Sequence, residues 1–389
     1  MSINSKINIV IVIVMWSMRS IDAAPTITDV TAQQRYPWNG KVDISYTVTG
    51  DIAEEAKQRA ELTALKVSAI DMVANTTNIA TQLSGDLSLG AGTHAIVWDM
   101  DAEGHSFKSS NVVFTVSCET TPAAYCVIDL SAGPDASSYP VSYLVSPPSV
   151  GFNIDVYKTS KLVLKRLEAG SFMLYGSTDV TLTKPFFCGI FEVTQKQYSL
   201  VTGSTPSNFS GDKRPVEMVS YDTIRGASLG SGWPNSSAVD PTSFMGKLRA
   251  RTGLDFDLPT EAQWEYSCRA GTTTTYSYGD SANGSYMWYT DNSSSQTHEV
   301  GTKLPNPWGL YDMHGNVWEW CLNYSGRFDF AGVDPKGCPK EKAAGNIRVL
   351  RGGSWKMEAS RCSSSGEGSA WAMNSNSSNG FRLVRTLAD

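Results

Sequence analysis

In the stretch KVDISYTVTG, Val42, Ile44, Tyr46 and Val48 alternate with Lys41, Asp43, Ser45 and Thr47. Successive side chains of a strand point to opposite faces, so this order gathers four apolar groups on one side and four polar groups on the other. The stretch predicts a strand with one face on a core. NVVFTVSC repeats the device through Val112, Phe114, Val116 and Cys118, and THAIVWDM offers a further strand.

Glycine-bearing turns such as SGD and GAG separate these segments, and DIAEEAKQRAEL predicts one short helix. Short alternating strands over residues 25–118 predict an antiparallel β-sandwich that resembles immunoglobulin or fibronectin modules. No residue in it points to catalysis, so its expected role is that of a spacer or adhesion module. The chain has 389 residues, more than one hydrophobic core ordinarily serves, which predicts a second domain. Between the two, residues 119–155 are rich in Pro, Ser and Ala and predict a linker. From about 156 to 389 the texture is α+β. Strand-like KLVLKRL and GSFML mix with helix starts and long loops, and eight of the eleven tryptophans lie from Trp233 onward. Thr194 to Gln197 and Thr260 to Gln263 each read as a capping box, in which a threonine oxygen and a glutamine side chain satisfy each other's backbone amides.

Residues 1–24 combine Lys6, an apolar run from Ile7 to Trp16, and small residues at Ala23 and Ala24. This is the layout of a signal peptide; the run is too short to remain as a membrane span, so the mature chain is expected to be extracytoplasmic (periplasmic, cell surface or secreted) with no membrane span after cleavage. The formal net charge of -6 and the lack of any Lys/Arg-rich run exclude a nucleic-acid or anionic-membrane partner. Seven cysteines leave at least one thiol unpaired within the chain, even in an oxidising compartment. No Cys/His spacing suggests zinc, and the four histidines are scattered.

EVTQKQY, RPVEMVSYD, LPTEAQWEY, GLYDMHGNVWEW, RGGSW and NGFRLV occur in this order between residues 156 and 389. With them the region resembles the sulfatase-modifying-factor family, whose founding activity is the formylglycine-generating enzyme, common in bacteria. The resemblance implies an irregular α+β fold of the C-type-lectin-like kind. It leaves the first module untouched. Because related folds serve several functions, the activity has to be argued from single positions.

In the formylglycine-generating enzymes, the resemblance implies, two cysteines after the GGS motif bind copper(I), a soft ion that prefers paired thiolates. Here the two positions hold Met357 and Cys362. A thioether is neutral and cannot complete the pair, so copper is not expected, and Cys362 is the one remaining candidate catalytic residue. The same comparison makes Ser354 a candidate substrate contact. Asn379 lies one residue short of the family's substrate asparagine and is not carried over. Asp312, Gly315, Val317 and Glu319 fall on family positions that bind calcium, two through side-chain oxygens and two through backbone carbonyls, a donor mixture suited to a hard cation. The alternative for Glu319 is an ion pair with a core arginine, Arg351 or Arg382.

Three functions follow as expectations. The first is a non-catalytic binding or structural protein, whose polar segment 363–379 with Trp371 would meet a protein, peptide or glycan ligand. The second is a copper- and oxygen-dependent oxidase that turns a sulfatase cysteine into formylglycine. The third, an iron-dependent sulfoxide synthase, is opposed by the lack of a histidine triad.

Overall fold

The computed structural model describes residues 8–11, 26–35, 39–105, 111–326, 331–340 and 343–387. The chain divides into two compact units, Met1–Pro122 and Ala123–Asp389.

The first unit is all-β apart from the helix Ile52–Arg59. One four-stranded sheet orders Asn8–Ile11, Asn111–Pro122, Glu61–Asp71 and Thr76–Ile79; the other orders Thr26–Gln34, Lys41–Thr49, Gly92–Asp99 and Leu83–Gly85. Along Lys41–Thr49 every second side chain is buried, as the alternation requires. Val42, Ile44, Tyr46 and Val48 meet Val67, Ile96, Trp98, Phe114 and Val116 in one core drawn from both sheets. This is the sandwich expected of an immunoglobulin-like module. Of the expected leader, Asn8–Ile11 run parallel to Asn111–Phe114, and its other residues lie outside the described residues. Among the described residues no helix is long and apolar enough to cross a membrane.

The segment 119–155 does not run as a linker. Asn111–Pro122 carries the first sandwich beyond Cys118, and the chain then enters the second unit at once. Tyr125–Asp129 is an inner strand of a five-stranded sheet, flanked by Val141–Leu144 and Lys161–Leu167 and followed by Phe186–Gly189 and Val384–Thr386. The physical reason is three consecutive buried residues, Cys126, Val127 and Ile128, whose apolar run is masked by the Pro/Ser-rich flanks.

A second sheet orders Glu367–Trp371, Ile347–Arg351, Trp318–Tyr324 and Asn379–Gly380. Trp318–Tyr324 is buried at all seven positions. Part of the polar segment 363–379 is sheet: Glu367–Trp371 pairs antiparallel with Ile347–Arg351, while residues 363–366 and 372–378 are turn and loop. Its small residues make this possible, because Gly368 lies against the ring of Trp318, where a side chain would be about in contact. Helices Gln195–Thr202 and Glu261–Arg269 open with the two expected capping boxes, at Thr194 and Thr260. A third box, Ser220 with Thr223, opens Tyr221–Arg225. The core of this unit gathers Trp264, Phe186, Phe191, Leu310 and Val349 with Tyr266 and Trp308 packed against it, so aromatic area does much of the work that regular structure does elsewhere.

Candidate functional site

The RGGSW motif leaves the strand Ile347–Arg351 through two left-handed glycines, Gly352 at φ +95 and Gly353 at φ +76. That turn seats Trp355 to Cys362 against residues 275–298. Thr290 N–H donates to the Met357 carbonyl at 3.0 Å, Ser293 Oγ to the Trp355 carbonyl at 2.7 Å, and Tyr276 Oη to the Ala359 carbonyl at 3.0 Å. The Cys362 sulfur is fully buried, in a small cluster with Tyr276 and Met287; Met357, Tyr278 and Tyr289 pack around it. Met357 and Cys362 thus share one nest, as the spacing of the motif implies. Met287 was invisible to sequence reasoning, since it comes from a loop some seventy residues upstream and carries no motif.

Burial pushes the Cys362 thiol up to about 12, although Ser354 offers it a backbone N–H. A thiol held neutral is a poor nucleophile and a poor ligand for copper(I). Cys118, Cys126, Cys188, Cys268, Cys321 and Cys362 all carry free thiols. Ser354 is buried and its Oγ has no partner among the described residues; the same holds for Asn379 Nδ2.

His314 ties the nest to the helix Glu261–Arg269. Its Nδ1 lies 2.7 Å from the Cys362 carbonyl, so Nδ1–H donates there. Nε2 then accepts from Ser277, whose Oγ is 2.9 Å and N 3.2 Å away, with Cys268 Sγ at 3.7 Å. Burial lowers the imidazole to about 4, which keeps it neutral and consistent with this tautomer. Sequence reasoning set His314 aside as a scattered histidine.

Asp312 and Glu319 flank in sequence the turn at Gly315, which stands at φ +89. Glu319 is fully buried and takes the arginine alternative: its Oε2 and Oε1 accept from Arg382 Nε and Nη2, both at 2.7 Å, and Oε2 also accepts Trp264 Nε1 at 2.7 Å. Asp312 Oδ2 accepts Gly301 N–H at 2.7 Å, while Oδ1 is buried with no partner among the described residues. Glu192 adds a third buried carboxylate, with Oε2 on Asn316 Nδ2 at 2.7 Å and Oε1 on Val317 N–H at 3.1 Å. Desolvation, then the neighbouring Asp312 and Glu319, raise Glu192 well above the usual carboxylate range. Among the described residues no three His, Cys, Asp or Glu side chains gather closely as a metal cluster. Of the carboxylates at the family's calcium positions, Asp312 keeps one oxygen, Oδ1, open to a cation, while both oxygens of Glu319 are engaged by Arg382.

Glu217, in RPVEMVSYD, is also buried. Its Oε1 accepts Phe209 N–H at 2.8 Å, and Oε2 has no partner among the described residues. Phe209 in turn meets Trp355 edge-on, at 5.5 Å between centroids. Desolvation raises Glu217 to about 7. Between the ordinary carboxylate value and 7 the folded chain keeps a proton that the unfolded chain has lost. Stability from this group is thus full at pH 4 and is lost as pH rises toward 7. Glu217→Gln is expected to stabilise the protein at pH 8 and to make no difference at pH 4. Urea midpoints at the two pH values measure this; an equal effect at both would show that the carboxyl ionises normally.

A family model described as the sulfatase-modifying factor enzyme 1-like domain matches residues 165–387. The chain belongs to this sulfatase-modifying factor family. The relatives of the domain include the chaperone protein LppX of Paenibacillus barcinonensis, 29% identical over 259 residues, or 57% of this chain and 88% of that protein. The formylglycine-generating enzyme of Streptomyces coelicolor is 35% identical over 122 residues. That match covers 27% of this chain and 38% of the enzyme. Among solved structures, Treponema denticola variable protein 1 aligns with a TM-score of 0.48 at 27% identity, covering 58% of this chain and 95% of that one. Curated relatives with and without the enzyme's name match this chain, and its own residues have to decide between the two readings.

Proposed function

We propose that this sulfatase-modifying factor protein is a non-catalytic binding or structural member of its family. The observation that carries the reading is the Met357/Cys362 couple: a thioether beside a single thiol, buried and pushed to about 12. Copper(I) chemistry of the family's kind needs two thiolates, and ionising this sulfur at neutral pH would cost several kcal/mol, of order 1.4 kcal/mol per unit of displacement. The likeness to a protein named as a chaperone, over most of that protein's length, supports a domain that holds rather than oxidises. The leader-like residues 1–24 support an extracytoplasmic location.

Copper(I) titration against a competing chelator, followed by a peptide-oxidation assay, tests this reading. The expected result is no stoichiometric binding and no aldehyde. One equivalent of tightly held copper with turnover would sink it in favour of the second reading, a formylglycine-generating oxidase, for which the shared identity with the Streptomyces enzyme is the supporting observation. Calcium, held through Asp312 with Gly315, Val317 and Glu319, belongs to the same proposal as a structural ion. Its chemistry there would be charge neutralisation among buried carboxylates.

A further inference from the structure

A cleft of about 350 Å³ in the second unit shares no residue with the sulfur and tyrosine nest. Leu182, Leu258, Leu322 and Val384 give it an apolar floor. One wall is fixed in place. Arg249 donates from Nε to the Phe256 carbonyl at 2.7 Å, from Nη1 to the Ser237 carbonyl at 2.9 Å and from Nη2 to Asp257 Oδ2 at 2.9 Å. Asp257 is held again by fully buried Arg225, at 2.7 and 2.9 Å. Such a wall needs no reorganisation when a ligand arrives.

Polar groups without partners border the same space. The Trp233 indole Nε1 is buried and has no acceptor among the described residues. Asp255 and Lys336 line the cleft from exposed positions, and neither side chain has an ion partner among the described residues. The lining holds three basic groups, Lys184, Arg249 and Lys336, and three acidic ones, Asp255, Asp257 and Asp334.

The size is at the low end for small-molecule sites and excludes a folded partner. The balance of charge excludes selection of an ion, because either sign gains at one rim what it loses at the other. What remains is a neutral ligand with an apolar face and a fringe of groups that both donate and accept. A sugar ring has that character: its C–H face can lie on the leucine floor while hydroxyls accept from Trp233 and Lys336 and donate to Asp255. The geometry points to a binding site for a neutral saccharide, either a free monosaccharide or the terminal sugar of a glycan. This stands apart from the reading of Cys362 and would hold for an oxidase as well.

The test is saturation-transfer NMR on the full chain with two sets of probes. Methyl glycosides of glucose, galactose, mannose, fucose and N-acetylglucosamine form the neutral set; glucosamine, glucuronate and sialic acid form the charged set. At least one neutral glycoside is expected to bind with a Kd on the order of millimolar, the range for a ligand of this size. Asp255→Ala and Lys336→Ala, both at exposed positions, are expected to weaken it about tenfold or more without moving the melting temperature. Trp233→Phe keeps the ring and removes the donor, and is expected to weaken binding in the same way. Silence from all five neutral probes at tens of millimolar, stronger binding of a charged probe, or binding untouched by the three variants would each overturn the assignment.

Discussion

Replacing Arg382 by leucine is expected to destabilise the second unit by about 3–5 kcal/mol, the range for stripping one partner from a buried ion pair. Arg382 has no exposed surface and donates to four oxygens: two on Glu319, the Gly189 carbonyl at 2.8 Å and the Tyr311 carbonyl at 2.9 Å. Without it, Glu319 keeps only Trp264 Nε1 among the described residues, beside the buried carboxyls of Glu192 and Asp312. An uncompensated anion in that interior costs more than the lost hydrogen bonds. The companion variant Arg382→Leu with Glu319→Gln removes the stranded charge and is expected to recover part of the loss. Urea denaturation measures both, and a single-variant loss under about 1 kcal/mol would mean the pair is not desolvated. The same experiment reports on calcium. If the ion is held through Asp312, millimolar calcium raises the wild-type midpoint, a chelator reverses this, and Asp312→Asn abolishes the response. A midpoint indifferent to calcium would remove the ion while leaving the ion pair intact.

The arginine alternative for Glu319 was legible in the sequence as chemistry but not as a choice. A carboxylate in an apolar run such as NVWEW must find a cation, yet Arg351 and Arg382 were equally eligible. The fold separates them: Arg382 faces Glu319, while Arg351 bonds Glu265 and lies 3.4 Å from Glu261. Local rules carried well where the deciding partner is close in sequence. Period two in Lys41–Thr49 and the capping boxes at Thr194 and Thr260 depend on neighbours within a few residues, and all three appear as expected. They failed where composition hid a partner far away. Tyr125–Asp129 is a strand because Lys161–Leu167 pairs with it, and Glu367–Trp371 because Ile347–Arg351 does. The motifs located Met357 and Cys362, but burial of the sulfur comes from Tyr276 and Met287, and His314 holds the Cys362 carbonyl, all groups that only the folded chain brings there. The saccharide cleft was not visible at all, since Trp233, Asp255 and Lys336 share no spacing that a sequence pattern would register.

Gly353→Ala is expected to cost about 2–5 kcal/mol and to loosen the sulfur nest. Two terms add. At φ +76 an alanine pays roughly 1–2 kcal/mol for left-handed backbone. Its Cβ would also overlap the Cys362 sulfur and lie 2.8 Å from that residue's Cα, which adds roughly 1–3 kcal/mol of overpacking. Gly271→Ala separates the terms, because Gly271 sits at φ +86 with nothing within 4 Å of its Cβ position. It should show the backbone cost alone. Removing the sulfur in Gly353→Ala with Cys362→Ala should return only part of the difference, because the close Cα remains. Urea midpoints give the energies, and thiol labelling gives the consequence. In the wild type Cys362 is sealed, and in Gly353→Ala it should react faster, because its backbone cannot stay where His314 and Gly353 now hold it. Equal costs at positions 271 and 353 would mean that Cys362 yields freely to a methyl group. A sulfur that moved so easily would not be the fixed, neutral thiol on which the non-catalytic reading rests.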